Sequence, residues 1–255
     1  MKAQLQDQVA VITGSTGGMG EGIARRLAGD GASVVISGRR AEQGRQVADD
    51  IARSGAPAMF VPADMGVEAD CINLIHATLE RFSRLDILVN NAAATPVEPP
   101  GAQTGELWDQ VFAVNTRGPW ACCREAIPVM RRQGGGRIIN IGTTMPFKGG
   151  LDRLAYGCSK GALYFMTKML ARDLARDRIL VNWITVGWVA TPGELALRDI
   201  THGDGASYIT QMAPKMPLGR LGSVEDIAAG VAFLASDAAG HITGGELNIS
   251  GGLLV

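Results

Sequence analysis

The sequence predicts an α/β protein, a doubly wound and mostly parallel sheet of about seven strands with helices on both faces, the Rossmann arrangement. Three observations lead there. Short β-branched runs alternate with longer amphipathic stretches along the whole chain. Those runs are apolar almost throughout, as strands covered on both faces must be. Glycines, the compositional outlier at 34 residues, fall where such a run gives way to a helical pattern.

In order, the strand runs are "VAVIT" at 9–13, "SVVIS" at 33–37, "AMFVPA" at 58–63, "DILVN" at 86–90, "RIINI" at 137–141, "ILVNWI" at 179–184 and "ELNIS" at 246–250. Helical patterns fill the gaps between them. Leu163, Met166, Leu170 and Leu174 are spaced for one helix face and read as a stripe packed into the core. Such alternation builds right-handed crossovers. With no repeat, low-complexity tract or linker, residues 1–255 read as one domain. Its loosest part is the segment at about 191–217, "TPGELALRDITHGDGASYITQMAPKMP", long enough for a substrate lid.

A hydrophobic content of 46% with 19% charged residues suits a globular chain, and a formal charge of -1 offers no electrostatic reason for nucleic acid or an anionic membrane as partner. The cysteines (Cys71, Cys122, Cys123, Cys158) form no CxxC pair. The histidines (His76, His202, His241) sit in no zinc or hydrolase pattern, so free thiols and no metal are expected. The first residues lack the long apolar stretch and cleavage site of a leader, and no run approaches bilayer length. A cytoplasmic protein is expected.

"VAVITGSTGGMGEGIARRLAGDGA" runs strand, glycine turn, helix, with Gly14, Gly18 and Gly20 spaced TGxxxGxG. A turn without Cβ atoms lets backbone N–H groups approach a pyrophosphate, and the following helix adds its positive N-terminal end. At the first strand–helix junction of an alternating chain, this turn reads as a nucleotide site, not merely a tight bend.

Further signatures follow in order: Asp64 in "PADM", "NNAA" at 90–93, Asn115 in "VNTRG", Tyr156 and Lys160 in "YGCSK", and "VGWVATP" at 186–192. With "TGSTGGMG" at 13–20, this set resembles the compact branch of the short-chain dehydrogenase/reductase family over essentially the whole chain. The resemblance implies an oxidoreductase using a nicotinamide cofactor. It implies a phosphate cradle at Gly14, Ser15, Thr16, Gly18, Met19 and Gly20, with Asp64 and Met65 framing the adenine. Asn91, Ala92 and Ala93 would lie along the adjacent ribose, and Gly187, Val189 and Thr191 at the nicotinamide. It also implies a homotetramer, or a homodimer, through helices containing 105–132 and 155–176 and the C-terminal segment. Ala93, Val186 and Ser250 stand where relatives usually carry glycine, proline and aspartate.

Gly38 occupies the position where NAD-preferring relatives carry an acid, and Arg39 and Arg40 follow it. A guanidinium grips a 2′-phosphate with two hydrogen bonds, so NADP(H) is expected over NAD(H), which the site would still admit.

Tyr156 and Lys160, four apart, share one helix face. A phenol with a pKa near 10 is poorly matched to proton transfer at neutral pH, and a fixed ammonium beside it would lower that value. In the family the lysine also holds the ribose hydroxyls, and Asn115 anchors a water that relays protons to it. The third partner in relatives is a serine thirteen residues before the tyrosine, a position held here by Thr143. Threonine keeps the hydroxyl and adds a methyl that narrows the space beside the carbonyl.

Met145, Phe147, Leu151 and Trp188 are expected to wall a pocket for an apolar or cyclic ketone or secondary alcohol. Lys148 and Arg153 read as solvated loop charges, with contact to an anionic substituent as the alternative. A 3-oxoacyl carrier-protein reductase, using Arg131, Arg132 and Arg172 as a basic surface, and a catalytically silent NADP(H) sensor are the rival readings.

Overall fold

The computed structural model describes residues 4–254. In chain order its elements are β1 (Val9–Ile12), α1 (Gly18–Gly29), β2 (Ser33–Gly38), α2 (Ala41–Arg53), β3 (Ala58–Pro62), α3 (Glu68–Phe82), β4 (Ile87–Asn90), α4 (Gly105–Phe112), α5 (Gly118–Gln133), β5 (Gly136–Ile141), α6 (Met145–Lys148), α7 (Leu154–Leu174), β6 (Ile179–Val186), α8 (Pro192–His202), α9 (Gly205–Met212), α10 (Val224–Ala235) and β7 (Glu246–Ile249). Each predicted strand run is present within two residues of its expected bounds.

The strands form one sheet in the order β3-β2-β1-β4-β5-β6-β7, with all pairings parallel. The chain winds outward from β1 in one direction and then from β4 in the other. The crevice above the carboxyl ends of β1 and β4 is therefore the switch point where such sheets take their ligands.

The two faces explain why the strand runs are apolar throughout. Ile12, Ile36, Val89, Ile139 and Ile184 point into one core with Ile23, Leu27, Ile227 and Val231 of α1 and α10. Their neighbours Val11, Val35, Leu88, Ile138 and Val181 point into the other, against Leu74 and Ile75 of α3 and Cys122 and Ala126 of α5. Successive residues alternate faces, so a strand buried twice cannot alternate in polarity. Of the predicted α7 stripe, Leu163 and Leu174 are buried and Leu170 packs against the core, while Met166 faces an outer groove beside Trp120.

The segment expected to be loosest is folded. Thr191 caps α8 by accepting from Glu194 N at 3.1 Å, and Asp204 caps α9 by accepting from Ser207 N at 2.9 Å. Two short capped helices with few buried apolar residues leave a weak periodic signal in the sequence, although their caps are legible. Among the described residues no helix is long and apolar enough to cross a membrane.

Candidate active site

The first cavity, about 620 Å³, lies over the switch point. Its floor is backbone. Gly14 and Gly18 have φ of 66° and 59°, in the region that favours glycine. A Cβ at Gly14 would stand 2.8 Å from Ala92 Cα, and one at Gly20 would strike the Gly14 carbonyl. The 12-residue α1 begins here without a side-chain cap, leaving its N–H groups to an anion. Asn91 holds the turn from the side, its amide donating to Thr13 O at 2.8 Å and Gly14 O at 3.1 Å. This cradle fits a dinucleotide pyrophosphate.

Thr16, Met19, Arg39, Arg40, Asp64, Met65, Asn91, Ala92, Ala93 and Thr191 all line this cavity. Ser15 does not. It is fully buried, its hydroxyl donating to Ile12 O at 2.7 Å and accepting from Ser37 N at 3.0 Å, so it ties the turn to β2. Gly18 contributes its backbone angle to the turn and lies outside the lining.

At the far end of the cavity the two arginines differ. Arg40 Nε donates to Thr16 Oγ1 at 3.2 Å, and its guanidinium lies across Gly17, where a Cβ would be 2.7 Å away. Arg39 is 72% exposed and paired with Asp64 at 3.7 Å. A side chain at Gly38 would meet Thr16 Cγ2 at 2.8 Å, so the family's acidic alternative is sterically closed as well as electrostatically absent.

The second cavity, about 850 Å³, shares Met19, Thr95, Thr191 and Gly193 with the first. Thr143 and Tyr156 stand in its wall. Thr143 follows β5 because Gly142 extends the ladder, donating to Ile184 O at 2.8 Å; any Cβ at Gly142 would run into the Trp183 indole. Burial pushes the Tyr156 phenol above its ordinary pKa, and the Thr143 hydroxyl hydrogen-bonded to its oxygen and the Arg153 charge push the other way.

Lys160 departs from expectation. Its ammonium donates to Ile141 O at 2.8 Å, it lines neither cavity, and burial lowers its pKa to about 8. Arg153 stands in the same cavity wall as the phenol. Asn115, fully buried in the π-helical segment Ala113–Arg117, accepts from Ala94 N at 2.8 Å and donates to Ala94 O at 2.9 Å and to Ser159 Oγ at 3.0 Å. It thereby ties the chain beyond β4 to the helix that carries Tyr156.

Of the expected substrate walls, Met145 and Trp188 line the second cavity, as do Gly187 and Val189, which were expected at the nicotinamide. Phe147 and Leu151 do not: Phe147 packs edge-on against Tyr164, and Leu151 is 71% exposed. Gly149 and Gly150, with φ of 76° and 154°, carry the chain out of the pocket between them. The segment expected as a lid supplies Leu197, Ile200 and Tyr208 to this lining, whereas Thr95, Leu253 and the Glu194–Arg198 pair were not foreseen. Of these only the i, i+4 pair leaves a sequence signal.

A family model described as enoyl-(acyl carrier protein) reductase matches residues 14–254. A 3-oxoacyl-[acyl-carrier-protein] reductase of Aquifex aeolicus is 33% identical over 254 residues, covering 99% of this chain and all of its own. Among solved structures, L-sorbose reductase from Gluconobacter frateurii, in complex with NADPH and L-sorbose, superposes with a TM-score of 0.94 at 28% identity, covering 100% of this chain and 99% of its own. A Beutenbergia cavernae protein described as an NAD(P)-dependent gluconate 5-dehydrogenase, with NADP bound at low occupancy, has a TM-score of 0.90 at 34% identity with the same coverage. The chain belongs to the short-chain dehydrogenase/reductase family and is an oxidoreductase.

Proposed function

We propose that this protein moves a hydride between the nicotinamide of NADP(H) and the carbon of a ketone or secondary alcohol, with Tyr156 as general acid/base. The observation that carries this reading is that Thr143 and Tyr156 stand together in the wall of a cavity that opens into the glycine cradle past Thr191 and Gly193. When bound, the nicotinamide supplies or receives the hydride.

Everything else falls to the chain. In the reducing direction Tyr156 gives its phenolic proton to the substrate oxygen while Thr143 donates a hydrogen bond to the same atom. Lys160 would replenish that proton and reach the ribose side only by turning its ammonium from Ile141 O toward the cavities, and its pKa of about 8 keeps it chargeable near neutrality. The relay water belongs to the main chain of Asn115, because its amide is committed to Ala94 and Ser159. The Arg40 guanidinium, oriented by Thr16, supports NADP(H) over NAD(H), with Arg39 as the outer contact. Met145, Val186, Val189 and Leu197 favour an apolar or cyclic substrate body, with the α8–α9 hairpin as its cover.

The same reading includes a homotetramer, or a homodimer, through α4, α5 and α7, where Trp120, Phe165 and Met169 are exposed. An acyl-carrier substrate has less support, since Arg131 of its expected basic surface is paired with Asp177. A panel of cyclic, aromatic and open-chain ketones assayed with NADPH and NADH tests the proposal. NADPH binding without turnover on any of them would favour the sensor reading.

A further inference from the structure

Three charged side chains line the substrate cavity among the described residues: Arg153, Glu194 and Arg198. Two of them cancel. Glu194 Oε1 accepts from Arg198 Nε at 2.7 Å and from Trp188 Nε1 at 2.7 Å, and the Arg198 guanidinium lies over the Trp188 and Tyr208 rings at 5.1 and 5.6 Å. Arg198 is thus consumed in holding α8 against the wall.

Arg153 is placed differently. It is the half-buried residue from which α7 starts, three positions before Tyr156, and none of the described residues offers it a carboxylate within ion-pair distance. Its neighbour Asp152 is exposed, with its carbonyl taken by Glu98 N at 2.9 Å. The other described arginines without a carboxylate partner, such as Arg117, Arg132 and Arg176, are exposed, whereas Arg153 is half-buried in a cavity wall. A cation left without an acid in the wall of a largely apolar cavity carries a desolvation cost that a ligand anion would offset.

We propose that the substrate carries a carboxylate, bound by Arg153, so that the reacting compound is an oxo acid or hydroxy acid and not a neutral ketone. The inference rests on the reductase reading given above. With Glu194 and Arg198 neutralising each other, the cavity presents a single net positive charge, which matches one carboxylate better than a doubly charged phosphate. Residues three apart on a helix are neighbours, with Cβ atoms ~5–6 Å apart, so the carboxylate belongs a few bonds from the carbon that reacts at Tyr156. Arg153 then does two things: it orients the acid, and its charge favours the phenolate of Tyr156.

The test compares 4-oxocyclohexanecarboxylate with its carboxamide, using NADPH, for the wild type, Arg153→Gln and Arg153→Lys. The wild type is expected to prefer the acid by about tenfold or more in kcat/KM, chiefly through KM. Arg153→Gln should erase that preference, and Arg153→Lys should keep part of it. In parallel, cyclohexanecarboxylate, which cannot be reduced at its ring, is titrated calorimetrically into each NADP+-loaded protein, with thermal melts checking the fold. If neither ketone turns over but cyclohexanecarboxylate binds in an Arg153-dependent way, the reductase reading fails and the anion site stands. Equal turnover of acid and amide, with no binding of cyclohexanecarboxylate that depends on Arg153, overturns the anion site and leaves the reductase reading intact.

Discussion

The two cavities that meet at Thr191 and Gly193 are built by different means. The first has a backbone floor: Gly14, Gly17 and Gly20 lie where an added methyl would strike Ala92, Arg40 or the Gly14 carbonyl. The second is walled by side chains at the end of β5, the start of α7 and the α8–α9 hairpin. A backbone floor suits what is constant in a ligand, such as the proposed phosphates, and leaves little room for a side chain at Gly14 or Gly20. A side-chain wall can be re-cut residue by residue without disturbing the sheet. That division fits solved relatives described as acting on a sugar and on a sugar acid while superposing closely with this chain.

If the two regions are separable, substitutions should affect one and spare the other. The largest effect is expected from Tyr156→Phe, which should lower kcat on the order of 10³-fold. Its NADPH affinity, read by fluorescence titration, should stay within about twofold. A large loss of NADPH binding in that variant would show that the cavities are not independent. Gly20→Ala acts on the other side: the added methyl meets the Gly14 carbonyl and should weaken NADPH on the order of 10²-fold. Thermal melts of the same variant separate lost binding from lost fold, and wild-type affinity would mean the turn can relax.

Thr143→Ala should cost roughly 10²-fold in kcat, because the hydroxyl that contacts Tyr156 is also the donor proposed for the substrate oxygen. Thr143→Ser should keep the rate and admit ketones with a bulkier group beside the carbonyl; an alanine variant with full activity would remove Thr143 from the mechanism. The smallest effect sharpens the comparison inside the cradle. Arg40→Gln should lower the NADPH-to-NADH selectivity ratio about tenfold, and Arg39→Gln by less, since Arg39 is largely exposed and shared with Asp64. The reverse order would mean that the Thr16 contact does not decide which arginine holds the 2′-phosphate.

Much of this was legible in the chain, for physical reasons that vary by residue. The strands were legible because burial on both faces leaves a continuous apolar run. Gly14 and Gly20 were legible as a tight turn because few residue types can form one, and Thr143 and Tyr156 were legible as neighbours because their spacing is short, as their shared cavity wall shows. Ser15 was misassigned because its hydroxyl faces β2, a direction no spacing reveals. Phe147 and Leu151 lie outside the lining because Phe147 packs against Tyr164 of α7 and Leu151 follows two glycines with positive φ into solvent. The hairpin of α8 and α9 was hidden by a short, weakly amphipathic pattern, although Thr191 and Asp204 announce its caps.

The sequence by itself determined the layered α/β fold, the glycine turn at its switch point, and which phenol and hydroxyl are proposed to react. These depend on periodicity, on glycine's missing side chain and on contacts between near neighbours. Only the tertiary structure decided where the cations go. Lys160, the obvious partner of Tyr156 in sequence, is buried against Ile141 O, while Arg153, which reads as a surface charge, stands in the substrate wall without an acid of its own. A charge's role depends on which groups surround it within a few ångströms, and those come from β5, β6 and α8, elements far from it in the chain.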